Sequence, residues 1–278
     1  MRYLSNILAI FRKEFLSYFR SPITYIIMGI FWLIAGFFFN SLLFSIVLDV
    51  ATQEQSGIML SRDIAYEFLN SFWGIIVFSL LLVILPALSM GLYAEERKLG
   101  TLELLATSPL TNWGVAVGKL LGVITFFTVM IIPFWIYEII IYSAASPPVQ
   151  LNTMLLAHFG IILLAAAILS LGMFISSLTD SSILAYIITF ILVLAIWLLD
   201  VIGDSTERFF SNRIGGEIGE KIGFFFKEAL SHLSWFEPYN NFIRGIFDSS
   251  SLVLFISYII LGIFLTAQSI EALRFQQK

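Results

Sequence analysis

Long, nearly uninterrupted apolar runs separated by shorter polar stretches make up most of this chain. A helix needs about 20 apolar residues to cross the hydrocarbon core of a bilayer. Runs at 22–48, 71–93, 113–142, 153–177, 183–202 and 252–270 meet that length and predict six spans. A transmembrane β-barrel would show short alternating segments instead. The first run is longer than the apolar core of a cleaved signal, and no A-x-A-like site follows it, so it is expected to be a permanent anchor. Residues 3–20 carry a different period. Leu4, Ile7, Leu8, Phe11, Phe15, Tyr18 and Phe19 recur at three- and four-residue spacing, with Asn6, Lys13, Ser17 and Arg20 elsewhere. This pattern predicts an amphipathic helix in the membrane interface, ended by Pro22, which opens the first span. A plain basic flank to that span is the alternative. In the stretch 203–250, Gly215, Gly219 and Gly223 are followed by Phe224, Phe225, Phe226, Leu230, Leu233, Trp235 and Phe236. Its apolar pieces are too short to span, which predicts an interfacial or partly re-entrant helical segment.

Composition agrees with the pattern. The 278 residues are 59% hydrophobic and 12% charged, where roughly a quarter of a soluble domain is charged. The expected fold is an all-α membrane protein, a single transmembrane domain over 1–278. Cysteine is absent, which excludes disulfides and thiolate chemistry. No basic face suggests nucleic acid. Orientation follows from Lys and Arg near the span ends. With the N-terminus in the cytoplasm, the inside carries Arg2, Arg12, Lys13, Arg20, Arg97, Lys98, Lys119, Arg274 and Lys278. The outside then carries Arg62, Arg208, Arg213, Lys221, Lys227 and Arg244 on longer loops. Both termini are therefore expected in the cytoplasm.

The connection 94–110, between the second and third spans, carries the functional signal. Glu95, Glu96, Arg97 and Lys98 precede Gly100, Thr101 can cap a helix, and Glu103 falls in its first turn. Leu102, Leu104, Leu105 and Ala106 make a short apolar helix over 101–107 that Ser108 and Pro109 stop. Such leucines need a cover, either a soluble partner or the bundle's own end.

The run EERKLGTLELLATSP, with the tryptophan and Gly-Lys that follow it, resembles the type-2 ABC transporter (ABC-2) permease family. The likeness is greatest to its gliding-motility and copper-enzyme-maturation branch. The Pro238-Tyr239-Asn240-Asn241-Phe242 segment, the Arg244-to-Asp248 run and the short basic tail are similar to the same family. The resemblance implies a permease of the cell's inner (cytoplasmic) membrane that exports substrate as a dimer, most simply a homodimer. It also implies two copies of a separate ATP-binding cassette subunit, which would bind ATP and magnesium. The 101–107 helix would be the coupling helix seated in that subunit. Leu102, Leu104 and Leu105 would be its buried contacts, with Glu95, Glu96, Arg97, Lys98 and Glu103 orienting them.

No cofactor, metal site or catalytic residue is expected in this chain. Gly114 to Lys119 superficially has the form of a phosphate loop. It has three residues between the glycines where four are needed, and Leu120 where Ser or Thr must hold magnesium. Gly114, Gly118 and Gly122 instead mark one face of the third span for close helix packing. Ionisable and polar groups inside spans invite functional readings. Glu138, His158 and Asn40 could line a substrate path. Glu138 could equally sit at the interface, and His158 could be a packing residue. Asp180 is expected to cap the fifth span. A secondary transporter would show an internal repeat and central charges, and a protease or hydrolase would show HExxH or GxSxG. A passive membrane scaffold would leave the short apolar loop helix unexplained.

Overall fold

The computed structural model describes residues 2–56, 64–102, 110–144, 151–214 and 216–276. Among them the chain is helical with no strand. The amphipathic α1 (Arg2–Tyr18) leads through Pro22 into α2 (Pro22–Ser56). The second span is composite: α3 (Ile64–Ser71), a π-helical turn (Phe72–Val77) and α4 (Phe78–Ser89). After the short α5 (Ala94–Lys98) come α6 (Asn112–Ala144) and α7 (Leu151–Leu178). Next are α8 (Ser182–Trp197), α9 (Leu199–Ile214), α10 (Gly216–Ser231), α11 (Phe236–Ile243) and α12 (Ser249–Gln276).

Among the described residues, five helical stretches are long and apolar enough to cross a membrane: Pro22–Gln53, Glu67–Lys98, Asn112–Ile139, Leu151–Leu178 and Ser249–Ala272. A sixth exists if α8 and α9, bent by 45° at Leu198, count as one. The expected fifth span over 183–202 is therefore broken near its end. The apolar pattern continues through Leu198, Leu199, Val201 and Ile202, so hydropathy alone did not mark the bend. Ser181, not Asp180, caps α8, accepting from the Leu184 amide. The 203–250 stretch is a helical hairpin, α9 against α10, followed by α11. A β-carbon at Gly219 would come within 2.7 Å of the Phe210 carbonyl, and one at Gly223 within 2.9 Å of the Glu207 carbonyl. These glycines let the two backbones touch.

The fourth span, α7, is the hub. It is 78% buried, whereas the first and last spans are 22% and 28% buried. Helix α7 packs on α4, α6, α8, α11 and α12. A helix covered on all sides by others reads as apolar all round. The sparsely covered α2 exposes Leu33, Phe37 and Phe44, as lipid-facing side chains should be.

The glycine face of the third span has a definite occupant, α1. A β-carbon at Gly118 would lie 2.9 Å from Ile10, and one at Gly122 would lie 2.8 Å from Glu14. The Tyr18 ring stacks on Phe126 at 4.8 Å. The matched pairs climb both helices in the same direction, so α1 runs alongside the first half of α6. Its Leu4, Leu8 and Leu16 remain exposed, leaving an apolar edge for lipid.

Candidate functional site

Helix α5, with the turn before it, is fastened to three other elements. The first N–H groups of any helix lack partners within it. Here Ser176, near the end of α7, supplies one: its hydroxyl oxygen accepts from the Tyr93 and Ala94 amides, both at 3.0 Å. The same hydroxyl donates to the Met90 carbonyl at 2.8 Å. Arg97 donates to the Ser177 carbonyl at 2.8 Å. A cation is favoured there because the carbonyls at a helix C-terminus carry partial negative charge.

The third fastening is ionic. Lys119, about two turns into α6, is 2% exposed. Its Nζ lies 2.7 Å from the Leu92 carbonyl, 3.2 Å from Glu14 Oε2 and 3.1 Å from Glu96 Oε1. An ammonium has three protons to donate, and all three face an oxygen. The cation also sits 4.8 Å from the Tyr93 ring centre. Lys13 adds a second cation to Glu96 at 3.1 Å. Two lysines and two glutamates from α1, α5 and α6 thus form a charge-balanced knot.

The residues named for docking divide accordingly. Glu96 and Arg97 turn inward, and Leu102 is 4% exposed and packed in the core. Glu95, Lys98, Leu99, Gly100 and Thr101 face outward, with Leu99 74% exposed. Gly100 ends α5 at φ 68°, a left-handed conformation that glycine adopts without strain. The Thr101 hydroxyl donates to the Glu96 carbonyl at 3.2 Å. Glu103, Leu104 and Leu105, with the rest of the expected helix to 107, lie outside the described residues. Gly114 is buried at the start of α6, its amide donating to Thr111 Oγ1 at 3.2 Å.

At the other end of the bundle, Glu138 and His158 come together. Glu138 Oε2 is 3.0 Å from His158 Nε2, and Trp73 Nε1 donates to Glu138 Oε1. His158 Nδ1 is 2.7 Å from the Met154 carbonyl. Trp73 and Trp135 set their rings edge-on to the imidazole at 5.1 and 4.8 Å. Tyr239 donates to the Trp73 carbonyl at 2.7 Å, and that carbonyl also closes the π-helical turn by accepting from Phe78. The group lies inside one bundle, between α6, α7, α11 and the π-helical turn. Asn40 does not join it; its amide turns back to the Gly36 carbonyl at 2.8 Å on the exposed surface of α2.

A family model described as ABC-2 family transporter protein matches residues 8–278. The chain belongs to the ABC-2 transporter family. No curated protein matches it. This ABC-2 permease is a multi-pass membrane component of an ABC transporter, and permeases of its family normally work with an ATPase subunit in a lipid bilayer. Among the residues that sequence reasoning passed over, Glu14 had a readable signal: a charge at position 14 interrupts the apolar stripe of α1. Ser176 and Trp73 had none, because a serine or aromatic residue inside an apolar run is ordinary.

Proposed function

We propose that this ABC-2 permease is the substrate-conducting half of an ATP-driven exporter, and that a separate ATP-binding subunit docks on the stretch from α5 to residue 107. Two copies of the permease, most simply identical, form the path between them, each with its own ATPase copy. ATP and magnesium are bound by the partner. Both termini lie on the ATPase side, which is the cytoplasmic side of the inner membrane. The branch that includes gliding-motility and copper-enzyme-maturation permeases is the part of the family proposed for it, on the likeness of the EERKLGTLELLATSP run.

The observation that supports docking is the triple fastening of α5. A surface meant to receive force must be stiffly joined to what it moves, and α5 is joined to α1, α6 and α7 through Lys119, Ser176 and Arg97. Beside it, Leu99 stands in the open, free for a docked subunit to cover. A push on α5 would be carried to the third and fourth spans together.

Replacing Leu104 and Leu105 with Asp tests the reading, with L99D as a companion. The expected result is normal membrane insertion with loss of co-purification and of ATPase stimulation by the permease. Variants that retain both would overturn the docking role.

A further inference from the structure

The Glu138–His158 pair has a proton inventory that the hydrogen-bond geometry fixes. A carbonyl oxygen can only accept, so His158 Nδ1, 2.7 Å from the Met154 carbonyl, carries a hydrogen. Nε2 of such an imidazole is an acceptor unless the ring is cationic. An ionised carboxylate oxygen is also only an acceptor. Nε2 and Oε2 face each other at 3.0 Å, and among the described residues neither has another hydrogen-bond partner. Two bare lone pairs at that separation repel. One further proton therefore lies between them, whether the pair is written as imidazolium and carboxylate or as imidazole and carboxylic acid. Either way the pair is neutral overall, which is the inexpensive state for a group this deeply buried.

We propose that Glu138 and His158 form a one-proton site whose occupancy holds the second, third and fourth spans and α11 together at the end of the bundle opposite α5. With the proton in place, Glu138 ties α6 to α7 through His158 and to the π-helical turn through Trp73, and Tyr239 adds α11. Without it, a buried anion confronts the lone pair of Nε2, and the cheapest relief is to part the helices and admit water. The surroundings offer no substitute cation among the described contacts: Trp73 faces the pair from the π-helical turn, Trp135 from α6, and Tyr239 from α11. Helix α2 reaches this region through rings, Phe39 on Phe72 and Phe134. The other buried charge on α6, Lys119, is nineteen residues along the helix from Glu138, about 28 Å. Burial pushes the Tyr239 phenol well above its ordinary range, so it stays protonated and keeps its hydrogen bond to the Trp73 carbonyl. The π-helical turn fits such a role, since these insertions concentrate at functional positions.

The absence of cysteine allows a direct test in the full chain reconstituted in nanodiscs. Ala157, fully buried beside His158, becomes A157C, and its labelling by a small thiol reagent is divided by that of exposed S250C to cancel thiol ionisation. Normalised labelling should be low in mildly acidic buffer. It should then rise with alkalinity by up to about tenfold per pH unit, the slope of a one-proton linkage. In E138Q the amide donates permanently to Nε2 while its oxygen still accepts from Trp73. Labelling there should stay low and flat. A pH-independent ratio in the otherwise native chain, or a rise in E138Q parallel to it, would overturn the proposal; the first arm stands even if E138Q does not fold.

Discussion

An ammonium group that is 2% exposed persists near the start of a span only because each of its protons meets an oxygen, and Lys119 is placed to meet that condition. Removing the cation leaves Glu14 and Glu96 facing each other across a dry gap. K119M should therefore cost roughly 3 kcal/mol, the usual scale for stripping one partner from a buried ionic group. K119M combined with E14Q and E96Q should recover much of it, and thermal unfolding in nanodiscs would measure both. Gly100 makes a smaller and more local demand. At φ 68° with nothing near its α-carbon, an alanine there meets only conformational strain, about 1 kcal/mol. G100A should thus loosen protease resistance after α5 with little change in the global midpoint. Sequence reading reached Glu138 and His158 individually, because an ionisable residue inside an apolar run is conspicuous. It could not pair them, and it could not find Trp73, 65 positions before Glu138. That contact depends on where the π-helical turn aims the indole, and no local pattern encodes it.

At the scale of the element, the spans were readable because lipid imposes a length and an apolar content that few other structures share. The glycine face of α6 was readable too, but its partner was not: α1 is about a hundred residues away, and packing faces carry no address. The contact yields a contrast between two glycines. G122A would drive a β-carbon to 2.8 Å from Glu14 and should cost about 1–3 kcal/mol through overpacking. G36A, on the open side of α2 with nothing within 4 Å, should be neutral or gain slightly from helix propensity. Comparing the two melting shifts checks whether α1 truly occupies that groove. The last span begins at a different device. Asp248 accepts from the Ser251 hydroxyl, then from the Ser250 and Ser251 amides, and these hold its carboxyl below the usual carboxylate range. A depressed carboxylate contributes stability above its unfolded value, about 3.9, and loses it as pH falls through the folded value. Acidification below about pH 4 should therefore weaken the native chain by more than D248A, whose profile should be flatter there.

For the whole molecule, the uneven burial of the spans is the informative feature. A hub helix at 78% and peripheral helices at 22% and 28% describe a bundle organised around α7, with α2 and α12 as its outer staves. If two copies conduct substrate between them, the native mass of the reconstituted assembly should correspond to two permease chains and two ATPase chains, whereas one of each would contradict the shared path. Breaks in the spans were the least legible part of the architecture. Leu198 bends a chain whose apolar content continues past it, because a bend is fixed by what the next helix packs against. Here that is α10, through glycines whose partners only the folded hairpin reveals.

The seat of α1 also sets a timetable for biogenesis. Gly118 is 108 residues downstream of Ile10, and a ribosome adding about 5–20 residues per second needs roughly 5–20 s to make that interval. Throughout that wait the N-terminal helix lacks its seat on the third span, and its leucine edge and scattered cations give it a bilayer surface to rest on instead. Capture by the newly inserted third segment would then convert a surface-bound peptide into a structural strut and close the ionic knot.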